Sequence, residues 1–542
     1  MKTLLIILNS KFSHTSPAVR SLAQYELHPG EERQVLEYTI NQPREWIVSD
    51  IAAQEGDILA FSVYIFNLKQ TVEVIRDLAA IFPQTPILCG GPEVSFECES
   101  FLRAHRQVWA VLKGEGEITF SKVMEAALTK GPAHLRKTLF RQKTEGTALL
   151  WEGQYWEGAA PRPICDLTAL PFPYTEEELP RLKDRILYYE STRGCPFRCA
   201  YCLSSVQGKI RAKPEAQVQE ELRLFLQAGV RQVKFTDRTF NYDRKRTQNI
   251  LRFLKENDNG ITSFHVEIAA WLLDEETVAL CRTLRPGQIQ FEIGVQSTDP
   301  EALKAIHRPG TTEEIKQKVL QLAGGPVSVH ADLIAGLPGE TYARFGQSLQ
   351  EVLSWGADCV QLGFLKILKG TDTSLWNRYG YCYSPNPPYE ILYNDAITYR
   401  ELCQLKQIEQ VLEWFYNSGL CRRTLGVLFR QSQKTFLLLE ELARFLARKK
   451  RFGQGNRPLD LAEELHEFLQ ENSCSGPWNA LLSMDLYSAG YSAESLSWQL
   501  PPNQALTAAA LTRPDRIAHR LPPDHRAAFL ERTPKQWRRH AA

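Results

Sequence analysis

Three cysteines stand within one eight-residue stretch, Cys195-Pro196-Phe197-Arg198-Cys199-Ala200-Tyr201-Cys202. Thiolates bind soft metals, and three on one short loop suggest a particular centre. A [4Fe–4S] cluster takes four thiolates when fully ligated, so three leave one iron open to a small molecule. A structural zinc site would want a fourth Cys or His at finger-like spacing. No second pair lies nearby, and the nearest histidine, His265, falls in a different expected strand. Of the 12 cysteines in the chain the rest, Cys89, Cys98, Cys165, Cys281, Cys359, Cys382, Cys403, Cys421 and Cys474, are scattered. They read as small buried hydrophobes.

The loop must be held by the elements around it. It follows ILYYESTRG (186–194), the first of six strand-like runs. The others are VRQVKFTD (230–237), SFHVEIAA (263–270), IQFEIGVQS (289–297), VSVHADLIAG (327–336) and CVQLGFLKIL (359–368). Helical patterns such as Pro214 to Ala228 and Pro300 to His307 separate them. Strands alternating with helices predict a parallel sheet, and six such units suit a partial (β/α)6 barrel of TIM type, too few for a closed eight.

A second alternating series occupies the amino-terminal part: TLLIILN (3–9), RQVLEYTI (33–40), DILAFSVYIF (57–66), TPILCGG (85–91) and VWAVLKG (108–114). Between them Leu68 to Phe82 shows one apolar helical face. This predicts a doubly wound, Rossmann-like sheet of five parallel strands, whose ligands lie beyond the carboxyl ends of the strands. The loops there are Asn9 to Ser16, the neighbourhood of Asn67, Gly90-Gly91-Pro92-Glu93 and Gly114-Glu115-Gly116-Glu117. Their glycines allow either close approach to a bulky ligand or a tight strand-to-helix turn. Both pairs fall on one edge of the expected sheet.

PRPICDLTALPFPY (161–174) is too rich in proline for a helix interior or central strand and reads as an extended strap. After Pro388 the strand signals stop. Tyr389 to Ser418 and Arg423 to Arg451 predict long amphipathic helices, with Leu425, Leu428, Phe429, Phe436, Leu439, Leu442 and Phe445 as core on one face of the second. The expected organisation is α/β for residues 1–140, a linker strap at 141–180, the barrel core at 181–385 and an all-α domain at 386–542.

Composition bounds the function. With 64 basic and 63 acidic residues the net charge is +1, which supplies no global field for nucleic acid or an anionic membrane. The longest early apolar run, Leu4 to Leu8, is too short for a bilayer span or a secretory leader. The expectation is a soluble cytoplasmic chain with reduced cysteines. The one local excess, basic residues past Thr512 including Arg538 and Arg539, reads as a solvated tail that leaves an RNA substrate open.

The cysteine triplet at the end of the first strand of a six-unit series resembles the radical S-adenosylmethionine (SAM) superfamily, over about Ile186 to Leu368. There the open iron holds the amino and carboxylate groups of SAM. In coproporphyrinogen-dehydrogenase-like members a strand-borne Glu contacts the methionine amino group, and VEIAAW places Glu267 there. The resemblance makes Gln296 of Gly294-Val295-Gln296-Ser297 and Asp332 of Asp332-Leu-Ile-Ala-Gly-Leu-Pro338 ribose contacts. It makes Arg308 the partner of the methionine carboxylate and puts Tyr201 by the adenine. Phe235-Thr-Asp237-Arg238-Thr-Phe240-Asn241 is similar to a signature of the cobalamin-dependent branch and should border the cluster or substrate cavity.

The amino-terminal sheet likewise resembles that branch's cobalamin-binding domain, with Ser10, His14, Gly90, Gly91, Gly114, Glu115 and Gly116 as implied contacts. The Asp-x-His-x-x-Gly motif that supplies a histidine to cobalt is absent, so the resemblance implies cobalamin held by backbone and shape. His14 is the one histidine near the expected edge. The helical end is similar to an uncharacterised domain attached to such enzymes. The implied activity is anaerobic methyl transfer to an unactivated carbon. A 5′-deoxyadenosyl radical would take a hydrogen and methylcobalamin would donate the methyl group, with flavodoxin or ferredoxin as electron donor. The alternatives are rearrangement or cyclisation without methyl transfer, a methylthiotransferase and a non-catalytic cobalamin sensor. Cys89, Cys98 and Cys165 are poorly arranged for a methylthiotransferase's second cluster. The substrate, a small molecule, peptide or RNA, stays open.

Overall fold

The computed structural model describes residues 1–491 and Trp498, apart from 372, 433 and 473–476. Cys474 and the basic stretch past Thr512 lie outside the described residues.

The amino-terminal sheet is built from Lys2–Asn9 (β1), Glu32–Thr39 (β2), Ile58–Ser62 (β3), Ile87–Gly90 (β4) and Ala110–Leu112 (β5), all parallel, in the order β2-β1-β3-β4-β5. In β1 every residue from Thr3 to Asn9 is buried, as a strand covered on both faces requires. Helix Leu68–Ile81 presses Val72, Val74, Ile75 and Leu78 into one of the two flanking cores.

The sheet is larger than the five strands expected. Thr147–Trp151 (β6) and Gln154–Glu157 (β7) add an antiparallel hairpin beside β5, inside the stretch expected to be linker. Glu152 and Gly153 both have positive φ, 50° and 82°, as a primed two-residue turn demands. Covering the edge of β5 lets Ala148 and Leu149 be buried completely. The strap proper therefore begins after the hairpin.

The second sheet holds Ile186–Tyr189 (β8), Gln232–Phe235 (β11), Ser263–Ile268 (β12), Ile289–Gln296 (β13), Ser328–Ala335 (β14) and Cys359–Phe364 (β15), parallel and ordered as in the sequence. A short antiparallel ribbon, Thr192–Arg193 (β9) with Arg211–Ala212 (β10), flanks the cysteine loop. Burial alternates along β13 and β14, so one face packs under the outer helices and the other lines an interior. This is the expected partial barrel.

Its first strand, β8, is an edge, and the rest of the chain covers it. Ile186 donates to the Ser13 carbonyl at 2.6 Å and accepts from the Thr15 N–H at 3.2 Å. The Tyr174 hydroxyl, at the end of the strap, accepts from the Tyr188 N–H at 2.8 Å and donates to the Tyr188 carbonyl at 3.0 Å.

Past the barrel two corrections apply. A ribbon of Cys382–Tyr383 (β16) and Ile391–Tyr393 (β17) continues strand structure beyond Pro388. The first long helix accordingly starts at Tyr399, behind a capping box of Thr398 and Glu401, and its last turns are wound as a π-helix over Leu412–Asn417. The second expected helix is two, Arg422–Gln431 and Thr435–Arg448. Between them the Ser432 hydroxyl accepts from the Lys434 N–H, and Thr435 Oγ1 donates to the Phe429 carbonyl. These side-chain bonds replace helical ones. The apolar stripe is core as expected, and it forms one hydrophobic cluster with the barrel. Gly346, on barrel helix Tyr342–Ser354, makes room for the Phe436 ring, which would lie 2.6 Å from an added Cβ. Among the described residues no helix is long and apolar enough to cross a membrane.

Candidate functional site

A strand end becomes a metal loop only if its backbone is pinned, and here the pin is Asp237, which is fully buried. Its carboxylate accepts from the Ser191 N–H at 2.8 Å, the Thr192 N–H at 3.0 Å and the Ser191 hydroxyl, fixing the chain between β8 and Cys195. Burial pushes the Asp237 carboxyl up to about 6 even against these bonds. Asn241 does the same for β12, exchanging two amide bonds with Ala269. The segment 235–241, expected to border the cavity, thus divides its work: Asp237 and Asn241 hold backbone, while Arg238 and Thr239 reach the cavity wall.

That cavity opens at the carboxyl end of the barrel strands. Cys195, Cys199 and Cys202 line it, and so do Tyr201, Glu267, Gln296, Arg308 and Asp332. The structure therefore brings all eight together, from five separate stretches of chain. Thr239 Oγ1 lies 3.6 Å from Cys195 Sγ, and Arg308 Nη1 lies 3.7 Å from Cys199 Sγ. Among the described residues no three His, Cys, Asp or Glu side chains converge as one metal ion would need. A cluster sets a different requirement, since each thiolate binds a different iron.

Local backbone shapes the other wall. β13 bulges against β14 between Gly294 and Gln296, and Gln296 takes φ 69°. Gly294 leaves space there: an added Cβ would meet Gln296 Nε2 at 2.2 Å and Arg308 Nη2 at 2.8 Å. Arg308 donates to the Gly294 carbonyl and lies 5.0 Å above the Trp271 ring. Glu267 and Arg308 do not pair. Glu267 instead meets Arg238 at 3.4 Å.

The electrostatics are those of a site awaiting charge. Gln296 Oε1, Asp332 Oδ1 and Arg308 Nε are buried with no hydrogen-bond partner. Burial pushes the Asp332 carboxyl well above the usual range, with Glu292 and Glu267 adding to it, and burial also raises Glu267 despite Arg238. Burial raises the Cys199 thiol, against the pull of Arg308. Sequence reasoning missed Glu292, Arg238's pairing and Ser205 on this wall. For Glu292 a signal existed, because it stands two before Gly294 and four before Gln296 on one face of a strand. Burial would raise its carboxyl, but the His265 hydrogen bond at 2.6 Å and Lys234 at 3.1 Å bring it down to about 2.

The amino-terminal loops behave differently. Gly91 has φ 111° and an added Cβ would strike the Val63 carbonyl at 2.4 Å; Gly114 has φ 77° and faces the Pro161 ring at 2.6 Å. Gly116 is also left-handed, at φ 100°, and Gly90 lies beside the Leu112 carbonyl. Chain neighbours thus account for the glycines at 91 and 114. Glu115 is clamped by Arg193 at 2.9 Å and Arg211 at 2.5 Å, and Glu117 meets Arg193 at 2.8 Å. His14 Nδ1 lies 2.6 Å from the Tyr188 hydroxyl, at the junction with β8, and Ser10 shares its half-buried loop. Tyr64, just beyond β3, stacks on Phe66 at 5.5 Å, and Phe66 remains 43% exposed. Cys89 and Cys98 are buried in the sheet's core and Cys165 is exposed on the strap, so these three form no second cluster loop.

Residues 3–124 match the B12 binding domain family, 189–352 the radical SAM superfamily, and 377–521 a family described as a protein of unknown function, DUF4080. The chain is similar to the cobalamin-dependent radical SAM methyltransferase TokK of Streptomyces tokunonensis, 24% identical over 320 residues, covering 56% of this chain and 45% of that protein. It is also similar to the 2-(S-pantetheinyl)-carbapenam-3-carboxylate methyltransferase of Streptantibioticus cattleyicolor, 24% identical over 326 residues, covering 57% and 47%. The chain thus spans about half the length of these curated relatives. In fold it is similar to the cobalamin-dependent SAM radical enzyme OxsB, solved with aqua-cobalamin and SAM. There the TM-score is 0.54 at 15% identity, over 98% of this chain and 78% of that one.

The donors present fit the cofactors these domains imply. Three thiols without an intervening carboxylate suit an iron–sulfur cluster. The unpartnered Gln296, Asp332 and Arg308 atoms suit a ligand carrying amino, carboxylate and hydroxyl groups. Phe66, exposed at the β3 end and stacked on the half-buried Tyr64, offers an aromatic face to a broad flat ring.

Proposed function

We propose that this chain, with its B12-binding domain, radical SAM domain and DUF4080 domain in that order, is a cobalamin-dependent radical SAM methyltransferase acting on an unactivated carbon. The observation that carries the reading is the single cavity shared by the cysteine triplet and four polar residues, three of which have buried, unpartnered atoms. The similarity to two methyltransferases over more than half of this chain supports the choice of reaction.

When bound, the cluster and SAM would generate the radical and cobalamin would carry the methyl group. The protein's part is to hold and to exclude. Cys195, Cys199 and Cys202 would ligate the cluster, with Asp237 fixing the approach to their loop. Glu267 would take the methionine amino group and Arg308 its carboxylate, while Gln296 and Asp332 would accept from ribose hydroxyls. A protonated Asp332 would also be able to donate. Tyr201, half-buried beside the third cysteine, would flank the adenine. Ser10, Gly90, Gly91, Gly114, Glu115 and Gly116 would border the cobalamin through backbone and shape. His14, turned to Tyr188, would contribute by holding the junction.

A flavodoxin or ferredoxin would supply electrons in a reducing cytoplasm. The amino-terminal domain would run past the expected residue 140 to take in the β6–β7 hairpin, and the barrel domain past 385 to take in the β16–β17 ribbon. The test is reconstituted protein with methyl-labelled SAM and extract of its own cells. Label in a product supports methyl transfer, whereas 5′-deoxyadenosine without label transfer points to rearrangement or cyclisation. Failure to cleave SAM at all leaves the non-catalytic sensor.

A further inference from the structure

Beside the cosubstrate cavity, and sharing Ser205 with it, lies a second one. Arg198 of the cysteine loop, His307 and, beyond β15, Gly370, Thr371, Ser374, Leu375 and Arg378 wall it among the described residues. Its chemistry is unlike its neighbour's. Three of its lining residues, Arg198, His307 and Arg378, are basic, and among the described residues no carboxylate lines it. Of the other cations near the cysteine loop, Arg193 and Arg211 meet Glu115 and Arg238 meets Glu267, while Arg308 lines the first cavity. Arg198 and Arg378 are in no ion pair among the described residues, and Arg378 has only the Tyr379 ring at 5.7 Å.

The backbone explains how two adjoining cavities acquire different linings. His307 has φ 54°, so two consecutive residues diverge, Arg308 lining the first cavity and His307 the second. Arg198 sits between Cys195 and Cys199 in sequence yet lines the outer cavity while they line the inner one. A molecule spanning both would have one end beside the reacting groups and the other among guanidinium groups.

We propose that the second cavity binds the anionic group of the substrate, a carboxylate or a phosphate, through Arg198 and Arg378. Guanidinium forks match both groups bidentately. An anion fixed at this distance from the chemistry supplies orientation through a part of the substrate that does not react. The assignment names the substrate class for the reading above and rests on it.

The test titrates the reconstituted wild-type holoprotein, with SAM present, separately with inorganic phosphate and with succinate, by calorimetry. Saturable binding of phosphate marks a phosphorylated substrate, and binding of succinate a carboxylate. Arg378→Ala and Arg198→Ala should each weaken that binding about tenfold, the effect of removing one charged hydrogen-bond partner. Arg378 is exposed, so its removal probes the site without opening a core. The proposal is overturned if neither anion binds, or if binding survives both substitutions. It is also overturned if SAM affinity falls in step with anion affinity, since the cavity would then belong to the cosubstrate. SAM cleavage by the wild type, read in the same samples, separates the two claims. Cleavage without anion binding removes this cavity alone, whereas anion binding without cleavage removes the reaction and the substrate assignment with it.

Discussion

The barrel mouth and the amino-terminal loops both carry the residue types of a binding site, yet they treat their polar groups in opposite ways. At the mouth, Gln296, Asp332 and Arg308 have buried atoms with no partner. At the loops, Glu115 and Glu117 are locked to Arg193 and Arg211, Glu93 to Lys369 at 3.1 Å and to the Tyr389 hydroxyl, and Gly91 is explained by the Val63 carbonyl. An unpaired buried polar atom is costly, and three lining one cavity are the pattern that a ligand would complete. A paired one marks where the protein completes itself. The acidic loop residues are thus domain glue, and the cobalamin contact proposed at these loops would fall to backbone.

The largest effect should come from the mouth. Cys199→Ala should abolish bound iron and SAM cleavage together, measured by iron content and 5′-deoxyadenosine formation; retained iron at wild-type stoichiometry would break the assignment.

Next is the junction. Arg193→Ala leaves Glu117, whose side chain is 4% exposed, without a cation and Glu115 with Arg211 alone, and should destabilise the protein by about 3–5 kcal/mol in urea unfolding. A cost near zero would mean that the ionic contacts do not hold the domains.

Asp332→Asn should act with opposite signs on two observables. Its carboxyl is raised above the unfolded value, so the stability it contributes is complete below about pH 3.9 and is lost as pH rises through the folded pKa. The substitution should therefore stabilise the ligand-free chain at neutral pH. It should also weaken SAM binding by about 1.5–3 kcal/mol, the usual value of a charged hydrogen bond. Loss of both would make Asp332 structural.

The smallest is Gly91→Ala, which forces an alanine to φ 111° and ψ 168° against a carbonyl and should cost about 1–3 kcal/mol of stability. The proposed backbone contact predicts that cobalamin affinity per folded molecule falls as well; unchanged affinity would leave the glycine to the Val63 carbonyl alone and sharpen the contrast between the two regions.

What the sequence disclosed followed the range of its signals. That Glu267, Gln296 and Asp332 share one cavity was legible because strand motifs fix their face and order, whereas Arg308, in the loop after Pro300–Ala305, came in through the resemblance. Strand runs with strict apolar content gave both parallel sheets. The hairpin at 147–157 was not read, although Trp151-Glu152-Gly153-Gln154 carries a glycine turn between apolar runs. The ion pairs that join the domains were invisible for a different reason. Arg193 and Glu117 are 76 residues apart, and Arg185 and Glu37, 2.8 Å apart in space, are 148 residues apart. No local period encodes such partners. The helix break near Ser432 escaped because the apolar stripe continues across it.

The covered edge of β8 bears on how this chain can be handled. An open parallel sheet ends in a row of free amides and carbonyls, which is a template for another chain to join. Here residues 13–15 and the Tyr174 phenol occupy that row at Ile186 and Tyr188. A fragment cut to begin at the barrel would lose both covers and present a bare strand to its own copies. The barrel's first strand is therefore kept from self-pairing by the chain before it, and a truncated protein is expected to self-associate before it can be tested for chemistry.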